Sequence, residues 1–266
     1  MERIKVALEK ARKERGEAGT GSTAPQGQAA RPAGTADISY TQTRVTPVSP
    51  EIMKKNRILT AVEDSPFADA YKMLSTQVLQ RMKENGWNVL AVTSPGEDEG
   101  KTLTAINLAI SLAREVSHTV LLVDANLRHP SIHEQLGLQA GAGLSDYLID
   151  DAELPELLLH PEGLDNLVLL PAGRPVHNSA ELLNSPKMVK LVDELKHRYP
   201  ERFVIFDLPP VLSTADALAF SPYVDAALLV LEEGKTQAEQ AQRAVDLLES
   251  TNVLGTVLNK SGSVAA

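Results

Sequence analysis

The segment VLAVTSPGEDEGKT spans residues 89–102 and joins an apolar run to an amphipathic segment. An apolar strand, a glycine-containing turn, Gly-Lys-Thr and then a helix form the sequence context of a phosphate-binding loop. In such a loop consecutive backbone N–H groups surround an anion, and the helix N-terminus adds partial positive charge. We expect the Lys101 ammonium to reach the outer phosphates of a nucleotide and the Thr102 hydroxyl to ligate Mg²⁺.

This phosphate loop (residues 94–100) departs from the usual glycine pattern at one place. Its first motif position, five residues before Gly100, holds Pro95, and a glycine follows one place later at Gly96. Residues 97–99 are all acidic, so we expect their side chains to point away from the phosphates. A chance Gly-Lys-Thr is the alternative interpretation, and the strand before the loop and the helix after it argue against that interpretation.

Apolar runs alternate with helical patterns from residue 88 onward. The runs are rich in Val, Leu and Ile and lack polar alternation, which is typical of parallel strands buried on both faces. The pattern predicts an α/β fold with a mostly parallel, doubly wound sheet of the P-loop NTPase type, whose ligands bind beyond the carboxyl ends of the strands. The predicted strands are Asn88–Thr93, Thr119–Asp124, Asn166–Leu170, Phe203–Asp207, Ala226–Leu231 and Asn252–Leu258. The predicted long helices are Thr102–Arg114, Ser179–Arg198 and Thr236–Ser250, with shorter helices near Ser145 and Asp216.

Two of the predicted strands end in an aspartate, Asp124 and Asp207. The carboxyl ends of parallel strands meet at one edge of a sheet, so we expect both carboxylates near the phosphate loop. Asp207 is placed to accept a hydrogen bond from a Mg²⁺-bound water, and Asp124 suits a group that holds the Mg²⁺ shell or a reacting hydroxyl. The alternative for Asp124 is a cap on the next turn. Arg128 either steadies Asp124, contacts a phosphate or is solvated.

The composition excludes several classes of protein. The 266 residues include 26 Lys and Arg, 35 Asp and Glu and no cysteine, which gives a formal charge of −9. Without cysteine there is no disulfide framework, zinc-thiolate site, iron–sulfur cluster or thiol nucleophile. The acidic balance argues against nucleic-acid binding. No apolar run approaches the length of a membrane span and the N-terminus lacks a signal-peptide core, so we expect a cytoplasmic protein with no transmembrane segment of its own.

The uneven distribution of charge predicts three segments. Residues 1–60 hold 11 basic and 6 acidic side chains, whereas residues 61–266 hold 15 basic and 29 acidic ones. Residues 1–15 are predicted to form a basic helix that either docks on a partner or an anionic membrane, or is a frayed terminus. Residues 16–50 are rich in Gly, Ala, Ser, Thr and Pro and are predicted to form a disordered linker. Residues 51–266 are predicted to form the P-loop kinase or ATPase domain.

In the order of its motifs the chain resembles the bacterial tyrosine kinases of capsule and exopolysaccharide synthesis, P-loop proteins related to the chromosome-partitioning ATPases. The resemblance covers about residues 60–260. The motifs that carry it are TS at 93–94, EGKT at 99–102, DANLRHP at 124–130, GLSDYL at 143–148, PAG at 171–173, SAELL at 179–183 and DLPP at 207–210.

The resemblance implies an ATP- and Mg²⁺-dependent protein-tyrosine (auto)kinase that regulates the synthesis and export of a capsule or exopolysaccharide polymer. It implies the cytoplasmic part of a membrane polysaccharide co-polymerase as partner, a peripheral location at the inner membrane through that partner, and a homo-oligomer. The implied catalytic residues are Lys101, Asp124 and Asp207, and the implied metal ligands are Thr102, Asp124 and Asp207. The implied nucleotide-binding residues are Pro95, Gly96, Glu99, Gly100, Lys101, Thr102, Leu103 and Asn259.

The chain differs from this family at three places. Asn126 stands where the family usually has a second aspartate, and an amide cannot act as a base. No tyrosine-rich tail follows the domain, so Tyr40 in the predicted linker is the most accessible acceptor candidate, with an ordinary linker tyrosine as the alternative. Asp69, Lys72 and Ser75 replace the Glu and two Arg of ring-forming members. The alternative function is therefore an ATP-binding regulatory ATPase of a co-polymerase without tyrosine kinase activity.

Two related classes fit the sequence less well. The partitioning and division-site ATPases carry a signature lysine one place after the first motif position, where this chain has Gly96. Asn259 and Lys260 begin a guanine-recognition motif, but Gly262 replaces the aspartate that the motif requires. The sequence therefore disfavours both a partitioning ATPase and a GTPase.

Overall fold

One eight-stranded sheet forms the frame of the domain in the computed structural model, which describes residues 44–59, 66–115, 119–198 and 201–262. Its strands are β1 (Arg44–Thr46), β2 (Val89–Thr93), β3 (Thr119–Asp124), β4 (Leu159–Pro161), β5 (Leu167–Leu170), β6 (Arg202–Asp207), β7 (Ala226–Glu232) and β8 (Asn252–Asn259). They are ordered β1-β4-β5-β3-β6-β2-β7-β8, and neighbours are parallel except for β4 and β5. The predicted basic helix at residues 1–15 and the predicted linker as far as residue 43 lie outside the described residues.

Helices connect most of the strands, and the first helix after β2 and the phosphate loop is almost entirely buried. They are α1 (Pro50–Lys55), α2 (Pro66–Asn85), α3 (Lys101–Ala113), α4 (Ile132–Leu136), α5 (Leu144–Asp150), α6 (Leu154–Leu157), α7 (Ser179–Leu183), α8 (Pro186–Arg198), α9 (Asp216–Phe220) and α10 (Ala238–Leu247), with a 3₁₀ turn at Ser221–Tyr223. None of the helices in the described ranges is both long and apolar enough to span a membrane.

Two apolar cores lie on opposite faces of the sheet, because successive side chains of a strand point to opposite sides. In β2, Leu90 and Val92 belong to the core that contains α3, whereas Val89 and Ala91 belong to the core that contains α8. Every residue of β2 and β3 is buried, as the absence of polar alternation in their sequences predicts. The prediction of a mostly parallel, doubly wound α/β sheet is confirmed.

The long helix predicted over Ser179–Arg198 is two helices in the structure. The first ends before Asn184, and the second begins at Pro186. Proline has no amide hydrogen and its ring clashes with the preceding turn inside a helix, but it fits the first turn of a new one. The apolar periodicity continues across this break, which is why periodicity alone predicted a single helix.

The folded domain begins earlier than the predicted boundary at residue 51. Strand β1 occupies Arg44–Thr46, and α1 starts at Pro50 with the Ser49 hydroxyl accepting the Ile52 N–H at 3.3 Å. The linker prediction is therefore wrong for residues 44–50. Strand β1 pairs with β4, which the sequence did not indicate either. Both strands have three residues, too few for an apolar pattern to be detected.

Candidate active site

The phosphate loop turns sharply at Gly100, the residue before the first turn of α3. Gly100 has a φ of +93°, a backbone conformation that residues with a Cβ rarely adopt. A Cβ there would also lie 1.9 Å from Nδ2 of Asn259, which donates a hydrogen bond to the Glu99 carbonyl at 2.9 Å. The positive φ therefore favours glycine here, a Cβ would displace the Asn259 amide, and the helix begins immediately after Gly100 with Lys101 and Thr102.

Lys101, Thr102 and Asp207 form a connected polar group at the N-terminus of α3. The Lys101 ammonium donates to the Thr102 hydroxyl oxygen at 3.0 Å and lies 3.5 Å from Oδ1 of Asp207. The Thr102 hydroxyl donates to Oδ2 of Asp207 at 2.7 Å. All three residues are buried, so the charges of Lys101 and Asp207 interact in a low-dielectric environment. The structure thus brings the end of β6 against the start of α3.

Asp124 and Asp207 lie in register at the ends of β3 and β6, and neither is exposed to solvent. The Asp124 carboxylate accepts the backbone N–H of Asn126 at 3.2 Å and those of Ser131 and Ile132 at 3.0 and 3.1 Å. It therefore caps the turn that leads into α4, which was the alternative interpretation of this residue. The Asp124 carboxylate also lies beside the carboxylate of Asp207.

The proximity of these two carboxyls changes their acidity. Burial, together with the neighbouring negative charge of Asp207, raises the pKa of Asp124 to about 7. Burial also raises the pKa of Asp207, against the opposing effects of the Lys101 ammonium and the Thr102 hydrogen bond. Two buried carboxyls that repel each other favour a bound cation, because a cation lowers the free energy of their ionised forms.

These shifts predict that the metal-free protein becomes less stable as the pH rises. Between the ordinary aspartate pKa of 3.8 and the folded-state value of about 7, the folded protein binds more protons than the unfolded chain, so the free energy of unfolding falls with pH. Thermal unfolding in EDTA is expected to show a lower melting temperature at about pH 8 than at about pH 5. The fall should be smaller in Asp207→Asn, which removes one titrating carboxyl and its effect on the other. An equal fall in both proteins would contradict the coupling.

A cleft of about 570 Å³ opens at the N-terminus of α3. Its lining includes part of the predicted nucleotide-binding set, namely Gly100, Lys101, Thr102 and Leu103. The remaining members of that set are not among the lining residues; they are Pro95, Gly96, Glu99 and Asn259. The cleft is also lined by side chains that follow the ends of the strands, including Asn126, Arg128, His129, Thr214 and Lys260.

The oxygen atoms around the cleft fit a magnesium ion that is bound together with a nucleotide. Oδ1 of Asn126 is a buried acceptor with no hydrogen-bond partner among the described residues, and Oδ1 of Asp207 has only the Lys101 ammonium beside it, at 3.5 Å. Mg²⁺ prefers oxygen ligands and is usually held by one or two carboxylates together with waters and phosphate oxygens. Together with the Thr102 hydroxyl, these two oxygens are ligands of the kind that such an ion prefers.

The sequence did not indicate the partner of Arg128. Instead of steadying Asp124, its guanidinium donates to the Asp216 carboxylate, with Nε 3.1 Å from Oδ2. The Ser179 hydroxyl donates to the same Oδ2 at 2.6 Å. Asp216 and Ser179 are fully buried, whereas the Arg128 side chain is 34% exposed and lines the cleft. The buried carboxylate therefore orients a partly exposed cation at the site.

The tyrosines of the described ranges are engaged in the fold. Tyr71 is buried, and burial raises the pKa of its hydroxyl. The Tyr223 hydroxyl donates to an asparagine side chain between α7 and α8, and a lysine ammonium lies 4.6 Å from the centre of the Tyr147 ring. Tyr40 and Tyr199 lie outside the described residues. Each of the three described tyrosines thus packs in the fold, through burial, its hydroxyl or its ring.

Known proteins are similar to this chain in sequence and in fold. No protein-family profile matches the chain. The tyrosine-protein kinase YwqD of Bacillus subtilis is 32% identical over 209 residues, which cover 78% of this chain and 86% of YwqD. The succinoglycan biosynthesis transport protein ExoP of Rhizobium meliloti is also 32% identical, over 77% of this chain and 26% of ExoP. The chain thus spans most of the first relative and about a quarter of the second.

A solved kinase domain has the same architecture. The kinase domain of the Escherichia coli tyrosine kinase ETK matches with a TM-score of 0.69 and 29% identity, over 84% of this chain and 91% of that domain. The chain belongs to the bacterial tyrosine kinase family, the P-loop kinases of capsule and exopolysaccharide synthesis.

Proposed function

We propose that the chain binds Mg-ATP in the cleft at the N-terminus of α3 and transfers the γ-phosphoryl group to tyrosine. The observation that carries this proposal is the buried contact of Lys101, Thr102 and Asp207 at that helix end. It combines a phosphate counter-charge, a hydroxyl ligand and a carboxylate within hydrogen-bonding distance of one another. Phosphoryl transfer depends on positioning and on charge stabilisation, and this group provides both.

In the proposed reaction each residue has a distinct role. The loop amides and the start of α3 hold the phosphates, and the Lys101 ammonium offsets the negative charge of the outer ones. Thr102, Asp207 and Asp124 would hold Mg²⁺, which neutralises charge on the phosphate oxygens when it is bound. The tyrosine oxygen forms a bond to the γ-phosphorus, and the bond from that phosphorus to the bridging oxygen of ADP breaks. The Asp124 carboxylate orients the tyrosine hydroxyl and accepts its proton.

We further propose that the kinase regulates the synthesis and export of a surface polysaccharide through a membrane partner. ExoP, of which this chain matches 26%, is by name a succinoglycan biosynthesis transport protein. The proposed partner is the cytoplasmic part of a membrane polysaccharide co-polymerase. The chain would then be cytoplasmic, peripheral at the inner membrane through this partner, and would form a homo-oligomer.

A second candidate function is a regulatory ATPase without tyrosine kinase activity. It is favoured by Asn126, an amide at a cleft position where the family usually has an aspartate, and by the engagement of the described tyrosines in the fold. Such a protein would bind and hydrolyse ATP, and its nucleotide state would control the co-polymerase.

Incubation with γ-labelled ATP and Mg²⁺ distinguishes the two functions. We expect labelled phosphotyrosine in the wild type, and loss of most of this label in Tyr40→Phe, since Tyr40 is the proposed acceptor within the chain. Tyr147→Phe serves as the matched control and is expected to retain the label, because Tyr147 packs against a lysine in the fold. Release of labelled phosphate without any phosphotyrosine would instead establish the regulatory ATPase.

A further inference from the structure

Three consecutive carbonyl groups of the phosphate loop each accept a hydrogen bond from a side chain at the β7–β8 edge of the sheet. The donors follow β7 or lie at the end of β8. The donor and acceptor residues are Lys235 and Glu97 (2.8 Å), Lys260 and Asp98, and Asn259 and Glu99 (2.9 Å). The loop is therefore fixed along its backbone by residues more than 130 positions away in the chain, at separations of 138, 162 and 160.

These contacts determine where the amides of the loop point. The carbonyl and the N–H of a trans peptide point in opposite directions. Carbonyls that face the β7–β8 edge therefore turn the N–H groups of residues 98–100 the other way, and Asp98 and Gly100 line the cleft. These three amides have no backbone or side-chain partner among the described residues. Unpaired amides beside a cleft at a helix N-terminus are the arrangement that binds phosphate.

The Glu99 side chain also fixes the loop, through hydrogen bonds to its carboxylate. Only 3% of Glu99 is exposed; its Oε2 accepts the Gly96 N–H at 2.9 Å, and its Oε1 accepts the Thr236 hydroxyl. By contrast, Glu97 and Asp98 are exposed. Glu99 is thus a buried part of the loop. Its carboxylate accepts one hydrogen bond from the loop backbone and one from the turn after β7.

We propose that Glu99, Lys235, Thr236, Asn259 and Lys260 form a brace that holds the phosphate loop in its phosphate-binding conformation, with Glu99 and Thr236 as positioning residues for the nucleotide. This inference rests on the proposed binding of Mg-ATP. It explains how an anion-binding loop accommodates a buried glutamate: the carboxylate contributes hydrogen bonds that order the loop. It also gives a role to Asn259, whose amide nitrogen contacts the loop.

For the removal of the Glu99 carboxylate, the brace predicts weaker Mg-ATP binding, whereas simple electrostatics predicts stronger binding. Removing a carboxylate from an anion-binding loop by itself strengthens phosphate binding, because it removes repulsion. The brace predicts that Glu99→Ala weakens Mg-ATP binding about tenfold, since hydrogen bonds to a charged group in a buried position are lost. Glu239→Ala, the matched control, removes the same atoms and charge from an exposed position on α10 and is expected to bind as tightly as the wild type.

Conservative variants test whether hydrogen bonding is the cause. Glu99→Gln keeps an acceptor for the Gly96 N–H and is expected to bind Mg-ATP nearly as well as the wild type. Thr236→Val loses the hydroxyl and should weaken binding, whereas Thr236→Ser should restore it. In the nucleotide-free protein, hydrogen exchange of the amides of residues 96–100 is expected to be faster in Glu99→Ala and Thr236→Val than in Glu239→Ala.

Calorimetric titration of the full chain with Mg-ATP measures these affinities. It also distinguishes a failure of the proposed function from a failure of the brace alone. If the wild type binds no Mg-ATP, the proposed function and the brace both fail. If the wild type binds while Glu99→Ala and Thr236→Val bind equally well or more tightly, the brace is overturned and the proposed function stands. Should Glu99→Ala fail to fold, Thr236→Val and its Thr236→Ser rescue decide the question in the same way.

Discussion

Replacing Lys101 by methionine is expected to lower phosphoryl transfer to tyrosine by at least about 100-fold. Methionine is similar in length but carries no charge, so the proposed phosphate site loses the Lys101 ammonium as a counter-charge. The change also acts on Asp207, because the Lys101 ammonium 3.5 Å from Oδ1 lowers the pKa of that carboxyl. Without the ammonium, Asp207 is protonated to a higher pH and is a weaker partner for Mg²⁺.

Labelled phosphotyrosine formed from γ-labelled ATP measures this effect, and thermal unfolding shows whether the variant is folded. Lys190→Met is the matched control: Lys190 is exposed on α8, and its replacement is expected to leave the rate unchanged. A folded Lys101→Met protein that keeps most of the wild-type rate would exclude a role of this ammonium in the reaction.

Replacing Asp207 by asparagine is expected to weaken ATP binding about 10- to 100-fold when Mg²⁺ is present. Asparagine keeps an oxygen that can accept the Thr102 hydroxyl, now 2.7 Å from Oδ2, but it has no negative charge. In excess EDTA the same change is expected to leave ATP binding unchanged or to strengthen it, because a carboxylate near the phosphates is removed. The loss should therefore depend on the metal.

Parallel titrations with ATP in Mg²⁺ and in EDTA test this dependence. Asp165→Asn is the control, since Asp165 is exposed in the turn before β5 and should show no difference from the wild type in either buffer. An equal loss of affinity in both buffers would show that Asp207 acts on the phosphates or on the fold rather than on the metal.

The central part of the fold could be predicted because every residue of its strands β2 and β3 is buried. Strands β2 and β3 are buried on both faces, so their sequences are continuous apolar runs that differ clearly from helical periodicity. The peripheral strands β1 and β4 have three residues each and are stabilised by pairing with each other, which no local pattern records. The break at Pro186 was missed because apolar periodicity continues on both sides of it.

The candidate site was predictable to the extent that it depends on local motifs. Lys101 and Thr102 follow from the loop sequence, and Asp207 follows from the rule that strand ends meet at one edge. The contacts that support these residues join distant parts of the chain: Arg128 and Asp216 are 88 positions apart, and Asn259 and Glu99 are 160 positions apart. Such pairs depend on the order of the strands in the sheet, which short motifs do not specify.

Calorimetric titration of the wild-type protein with ATP in the presence of Mg²⁺ tests most directly whether a magnesium-nucleotide binds at the N-terminus of α3. We predict a saturable heat of binding at one site per chain, weaker in EDTA and lost in Lys101→Met. A folded wild-type protein that gives no heat of binding with Mg-ATP would contradict the assignment of this cleft.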